Sequence, residues 1–463
     1  MKLSAETLLF IEKHLNDDVR TLALKATKQA GVDLPAALTQ IAGHQAATDK
    51  LPTWSRTKGI LYPKHLSMEQ CSSEVTARYK ASLVSGTTFA DLTGGFGIDC
   101  YFLSTRFQRS AYIERQEELC EIARHNFTLL NSEDITVYHA DGTEYLQHMG
   151  PVDCLFIDPA RRDTHGGKTV AIADCEPNIC ALEELLLQKA STVLVKLSPM
   201  LDISQTLRDL HSVRSVHIIS VHNECKELLL LLSEKAVEEG IKLHCVNLLP
   251  QSLRENRESA NKETLPSQTP CTKPQQRTRE ESLQDTKNGH FIEEFPLSTE
   301  SAIQPVNKVA ISSKEIPGAL PPTYSEFIFS PEEEANASCP YTDSAEKYLY
   351  EPNASIMKAG GYRSLAQRYN LQKLHPNSHL YTSSHYRADF PGRRFEIEQV
   401  WGFNKKELKE LSSLKQANLT IRNFPASISE LRKRLKLKDG GNIYLFATTF
   451  SDGRKAIIQC RKA

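Results

Sequence analysis

The residues best suited to chemistry fall in one stretch, FADLTGGFGID. There an apolar run ends at Asp91, and a turn carrying Gly94, Gly95 and Gly97 leads into the helix-like DCYFLST. Glycines let a backbone approach a ligand closely, and the N–H groups opening the next helix are oriented donors, so such a turn can cradle a nucleotide-type molecule. Turns of this composition are also common as plain structure, and the neighbouring runs therefore carry the argument. The run SAYIE ends in Glu114, ITVYHA is followed by Asp141 and Gly142, and DCLFID delivers Asp158 before Pro159. Glu114 stands about 20 residues beyond the turn, where an acid can accept hydrogen bonds from both hydroxyls of a ribose. Asp141 is placed to suit an adenine amino group, and Asp158 sits at a strand end, where open parallel sheets bind ligands. For each acid taken singly the alternative is that it caps the helix that follows.

The elements that must position these residues are legible as periodicity. From Thr88 to Leu249 short apolar runs (FADL, SAYIE, ITVYHA, DCLFID, TVLVKL, VHIISV, ELLLLLSE and KLHCVNL) alternate with helical segments, which predicts a doubly wound, Rossmann-like α/β sheet of seven strands over 86–250. Helical spacing in TLALKATKQAGV and SEVTARYKASLV predicts an N-terminal helical cap over 1–85. Residues 251–305 are rich in Gln, Ser, Thr, Glu, Lys, Asn and Pro, too polar to bury a core, and read as a disordered insertion. Small α+β domains are expected over 306–400 and 401–463, the second with a basic helix, ISELRKRLKLK.

The stretch from Thr88 to Ser233 resembles the class I methyltransferases that use S-adenosylmethionine (SAM), with DLTGGFG similar to their first motif and DPARR to their fourth. The resemblance implies SAM lying across Asp91, Thr93, Gly94, Gly95 and Gly97, with Glu114 at the ribose and Asp141 and Gly142 near the adenine. Thr93 departs from the glycine often found at its position. The whole chain, through EQCSSEVTARYKA, IDPARR, KLSPMLDI, NECKELL, YLYEPNASIMKAG, KLHPNSHLYTS and RNFPASISELRKRLKLKDGG, is similar to an uncharacterised bacterial methyltransferase family. In that family a ferredoxin-like domain and a C-terminal THUMP-like domain follow the catalytic one, which would make 306–400 the ferredoxin-like part and 401–463 the THUMP-like part.

Methyl transfer is an in-line displacement at an activated sulfonium, so positioning and a proton sink are what a protein must add. Asp158 with Pro159 is the candidate for that catalytic role. The residues after Pro159 are Ala160, Arg161 and Arg162, without the aromatic of base-amino methylases. Ser198 stands where a C5-uridine methylase needs a nucleophilic cysteine. Arg161 and Arg162 suit a substrate phosphate or a loop ion pair. Lys196, at the end of the fifth strand, suits the pocket or a surface ion pair.

From Trp401 onward there are 14 Lys and Arg against 5 Asp and Glu, a local charge of +9 in a chain whose net charge is -1, so the rest carries -10. Arg432, Lys433 and Arg434 on the basic helix suit an RNA backbone, tRNA or rRNA, though a charged helix face is often merely solvated. Tyr362, Arg363, Arg368, Tyr369, His375, His379, Tyr381, His385 and Tyr386 mix rings and cations that suit stacked bases or a packed core. The histidines lack metal spacing, and no metal is expected. Eleven cysteines without a CxxC pair point to reduced thiols in the cytoplasm, and neither a secretion signal nor a membrane segment is expected. A SAM-dependent RNA methyltransferase is the leading reading. The alternatives are a protein or small-molecule methyltransferase and a noncatalytic RNA-binding protein that keeps the fold.

Overall fold

The computed structural model describes residues 3–25, 30–161, 171–234, 240–249 and 323–463. The expected insertion at 251–305, Arg162 and the side chain of Arg161 lie outside the described residues. The N-terminal region is helical. Ser4 caps Ala5–His14, Asp33 caps Leu34–Lys50 with a proline in its first turn, and Ser73 caps Glu74–Leu83, each side chain accepting a backbone N–H that the helix leaves unpaired.

The central sheet is built from β1 (Thr88–Asp91), β2 (Arg109–Glu114), β3 (Ile135–His139), β4 (Val152–Ile157), β7 (Ala190–Leu197), β8 (Val213–Val221), β9 (Glu224–Leu232), β10 (Lys242–Leu249) and β11 (Thr323–Phe329). A short ladder pairs β5 (Ala160–Arg161) with β6 (Cys175–Glu176) beyond β4. The order is β11-β10-β8-β9-β7-β4-β1-β2-β3. Seven strands stand together from β3 to β8, and β10, formed by the eighth apolar run KLHCVNL, and β11 extend that edge to nine. Strands β3, β2, β1, β4 and β7 pair in parallel, whereas β9 runs antiparallel between β7 and β8. Helices cover both faces, so β1, β4 and β7 are almost continuously buried, as a doubly wound sheet requires.

One face packs Trp54, Tyr62 and Tyr79 of the helical region against Phe89, Phe156 and Leu229 of the sheet. The other joins Leu155, Val195 and Leu230 to Phe327, Tyr350, Ile356, Leu365 and Phe390. The segment after 348 therefore shares a core with the central sheet. Thr323–Phe329, which sequence reading assigns to the ferredoxin-like part, pairs antiparallel with β10 instead.

A second sheet has the order β13-β14-β12-β15-β18-β17-β16, from β12 (Tyr348–Pro352), β13 (Gln372–Lys373), β14 (Tyr381–Ser383), β15 (Gly392–Gly402), β16 (Asn418–Arg422), β17 (Tyr444–Thr449) and β18 (Lys455–Lys462). The fully buried carboxylate of Glu351 on β12 binds Arg393 on the adjacent β15 and also Arg422 on β16, at 2.8 Å. Four strand spacings of about 4.8 Å would separate β12 from β16 in a flat sheet, so this pair is possible only because the sheet curls on itself. Asn423 and His375, 3.0 Å apart, make a second contact across the same seam. Glu351→Gln leaves one guanidinium short of an acceptor and should cost about 1–3 kcal/mol, read as a lower melting temperature. Unchanged melting would show that the seam holds without its charge.

Candidate active site

The C-terminal ends of β1, β2, β3, β4 and β7 open into one cavity of about 1050 Å³, a size that accommodates a nucleoside and a second reactant together. Asp91, Thr93, Gly94, Gly95, Gly97, Glu114, Asp141, Gly142, Asp158, Pro159 and Lys196 all line it. The turn after β1 has no room for a side chain at Gly94. A Cβ on Gly94 would lie 2.3 Å from the Tyr112 ring, and one on Gly142 would lie 2.1 Å from the Leu92 carbonyl oxygen. Gly97, with φ of 88°, opens the helix Ile98–Ser104.

Glu114 is held by two backbone donors, the Gly95 N–H at 2.9 Å on one oxygen and the Gln116 N–H at 2.8 Å on the other. The Tyr112 hydroxyl donates to the Gly95 carbonyl at 2.5 Å, so the turn is pinned from β2 on both sides. Thr93 links two strand ends. Its N–H donates to Asp91 Oδ1 at 2.9 Å, and its hydroxyl accepts the Asp158 N–H at 2.7 Å. A glycine there could not make the second bond, which accounts for the hydroxyl residue. Asp141 caps the helix Gly142–His148 through Oδ1, accepting from Thr143 and Glu144. The capping reading thus holds for Asp141 while it also lines the cavity. Burial pushes the Asp91 carboxyl well above the usual carboxylate range, aided by the nearby charges of Asp99, Asp158 and Glu114, and its Oδ2 is buried without a hydrogen-bond partner.

Behind Asp158 runs a chain of buried charges. Lys196 contacts the Asp158 carboxylate and lies 3.6 Å from Asp99 Oδ2. Burial alone would depress the Lys196 ammonium, but Asp158, Asp99 and Glu227 reverse that and hold it above the ordinary lysine value. Lys80, with no exposed surface, meets Asp99 Oδ1 at 2.9 Å and both Glu227 oxygens at 2.9 Å. Sequence reading singles out neither Lys80, Asp99 nor Glu227. The signal is faint: Lys80 falls within a helical pattern, and Glu227 is one acid before five leucines.

The basic helix forms at Ile428–Leu435, closed by a Ser427–Glu430 capping box. It lies apart from the cavity lining. Arg432 pairs with Asp439, Arg434 lies 4.9 Å over the Phe403 ring, and Lys433 is exposed. Of the expected stacking residues, Tyr381 is fully buried and donates to the Tyr362 carbonyl, Tyr362 stacks on His379 at 3.8 Å, and Tyr386 is 41% exposed. Among the described residues one group offers metal-type donors, His217, His244 and Glu326. The two rings stack at 4.2 Å and 12°, so their in-plane lone pairs run side by side instead of converging. Tyr79 and Ser215 already engage His217, and Glu326 engages His244. No helix among the described residues is long and apolar enough to cross a membrane.

Residues 348–391 match the model of a ferredoxin-like domain, and residues 392–462 match that of a THUMP-like domain. A crystal structure described as a "putative methyltransferase" from Porphyromonas gingivalis W83 is 34% identical, covers 99% of this chain and 98% of its own, and superposes with a TM-score of 0.74. The chain belongs to that family. It is a family of Rossmann-like methyltransferase sheets followed by ferredoxin-like and THUMP-like domains. Shorter similarities include an rRNA methylase from Streptococcus thermophilus (15% identity, 35% of this chain, 96% of that one, TM-score 0.27). Another is a "putative methyltransferase" from Streptococcus mutans in complex with SAH (14%, 26%, 70%, TM-score 0.22). No curated protein matches the chain.

Thr93→Val keeps the shape of the side chain but leaves the Asp158 N–H without its acceptor, a loss of about 1–3 kcal/mol. A lower melting temperature for Thr93→Val than for Thr93→Ser is the expected result.

Proposed function

We propose that this protein is a SAM-dependent methyltransferase acting on structured RNA, tRNA or rRNA. The observation that carries the reading is the convergence of the glycine turn and four acidic strand ends, Asp91, Glu114, Asp141 and Asp158, on a single cavity in a chain of this family. The residues fit the cofactor. Gly94 leaves the turn bare, and the buried Asp91 Oδ2 is an acceptor still lacking a donor. Asp91, Thr93, Gly94, Gly95 and Gly97 would hold the amino-acid end of SAM, Glu114 the ribose, and Asp141 with Gly142 the adenine. When bound, SAM supplies a methyl group on a sulfonium.

The protein's own work is then alignment and proton management. Asp158, fixed by the Thr93 hydroxyl at its backbone and by Lys196 at its carboxylate, orients the acceptor with the Pro159 carbonyl beside it and takes up the proton that an amine acceptor releases. Arg161 and Arg162 are assigned to a substrate phosphate. The THUMP-like segment, with Arg432, Lys433 and Arg434, is assigned to the RNA backbone, for which its charge of +9 is suited. The cytoplasm is the compartment this reading implies.

Calorimetric titration of SAM should give micromolar affinity, lost by at least 100-fold in Asp91→Ala/Glu114→Ala. Labelled SAM should then mark methyl-deficient tRNA or rRNA pools. Neutralising Arg432, Lys433 and Arg434 should weaken RNA binding and reduce its salt slope by about 2–3. Folded wild type that binds RNA but not SAM would overturn the enzyme reading. SAM binding without transfer to any RNA pool would point to a protein or small-molecule acceptor.

A further inference from the structure

The ion chain behind Asp158 contains a competition. Two carboxylates, Asp158 and Asp99, lie within reach of the single Lys196 ammonium, in contact with one and 3.6 Å from the other. Asp99 is the more buried of the two, with a side chain 10% exposed against 36% for Asp158. A buried carboxylate gains more from a cation than a half-exposed one, because less water competes for it. Left to itself, Asp99 would therefore draw Lys196 away from the strand end where the acceptor is aligned.

Asp99 is not left to itself. Its Oδ1 meets Lys80 at 2.9 Å, and its Oδ2, the oxygen that faces Lys196, accepts a hydrogen bond from the Ser72 hydroxyl at 2.7 Å. Lys80 in turn donates to Ser72 at 2.7 Å and to both oxygens of Glu227 at 2.9 Å, so the buried ammonium has partners on every side. Although burial alone would raise the Asp99 carboxyl, the Lys80 and Lys196 ammonium groups override it, and Asp99 is held below its ordinary value. Ser72 and Lys80 come from the loop before Glu74–Leu83 and from that helix, Asp99 from the helix after the glycine turn, and Glu227 from β9.

Resting on the methyltransferase reading above, we propose that Lys80 is a positioning residue for methyl transfer: it balances the charge of Asp99, whose Oδ2 Ser72 occupies, and thereby leaves Lys196 to hold Asp158. The N-terminal helical region is thus part of the reaction site, although Lys80 itself does not reach the cavity surface.

The test uses the full chain and isosteric changes. Lys80→Met/Glu227→Gln removes one cation and one anion together, so that no added net charge is buried. Lys196 should then move onto Asp99 in the crystal structure and leave Asp158. The rate kcat for methyl-deficient tRNA and rRNA pools should fall at least tenfold while SAM affinity stays within threefold. Adding Asp99→Asn removes the competitor, and both the Lys196–Asp158 contact and the rate should recover to within threefold of wild type. A merely structural role predicts a further loss there instead. Ser72→Ala keeps every charge and serves if the double variant does not fold: freeing the oxygen that faces Lys196 should shift the lysine toward it and lower kcat at least threefold. Lys196 remaining on Asp158 in these variants would overturn the proposal. Wild type that methylates no RNA would sink the acceptor assignment alone, because the crystal structures decide the Lys80 question without turnover.

Discussion

A lysine ammonium with no exposed surface is tolerable only when its donors find partners and its charge is balanced, and Lys80 donates to Ser72 and to both Glu227 oxygens while forming an ion pair with Asp99. That requirement joins three parts of the chain far apart in sequence: the last N-terminal helix, the helix after the glycine turn, and β9. It also fixes the back wall of the cavity, because Asp99 and Glu227 line it while Lys80 stands behind them. The polar cluster sits between apolar layers on the helical side of the sheet, where Trp54, Tyr79 and Phe102 pack. Apolar packing there is shape-tolerant, whereas the ion cluster accepts one arrangement, so the cluster sets the register of helix against sheet.

The strand order explains why the cavity lies where it does. The chain steps outward from β1 through β2 to β3 and then returns to β4 on the far side of β1, and a crevice opens at the carboxyl ends where the strand order reverses in this way. The Thr93 hydroxyl bridges that crevice at its floor by accepting the Asp158 N–H, so the two strand ends cannot move independently. The glycine turn above it is bare for a packing reason as well as a ligand reason: the Tyr112 ring already occupies the space a Gly94 side chain would need.

Much of this was legible in the sequence, because the β1 to β10 runs are short, strongly apolar and punctuated, and because the acids stand at strand ends, where a spacing argument reaches them. What stayed hidden is non-local. The pairing of β11 with β10 spans the long polar segment, and nothing in EFIFS says which edge it will join. Lys80 and Glu227 look like an ordinary helix lysine and a strand-start acid until the fold brings them to 2.9 Å. Glu351 is equally silent, since only the curl of the second sheet carries Arg422 to it. Arg434 lies over the Phe403 ring and Arg432 pairs with Asp439, contacts that the run RKRLKLK does not announce. A charge count does not foresee these contacts, although Arg434, like Lys433, stays exposed on that helix.

Charge is separated along the molecule in a way that bears on how two reactants can be held at once. The cavity lining carries Asp91, Asp99, Glu114, Asp141, Asp158, Glu176 and Glu227 against Arg115, Lys196 and Lys226. An acidic cavity suits a sulfonium cation and repels a polyanion. An RNA substrate would therefore gain little from the cavity itself and must be captured elsewhere, and the segment from Trp401 onward, at +9, is where the chain concentrates the opposite sign. Such capture can align an acceptor only if the capturing part is fixed relative to the cavity. The shared core supplies that fixity: Tyr350, Ile356 and Phe390 pack into the same cluster as β4 and β7, and the Ala354 N–H is held by Asn223 at 2.7 Å. The Glu351 seam then carries the constraint onward from β12 to β16, so the basic segment is anchored to the methyltransferase sheet through packed residues and one buried carboxylate.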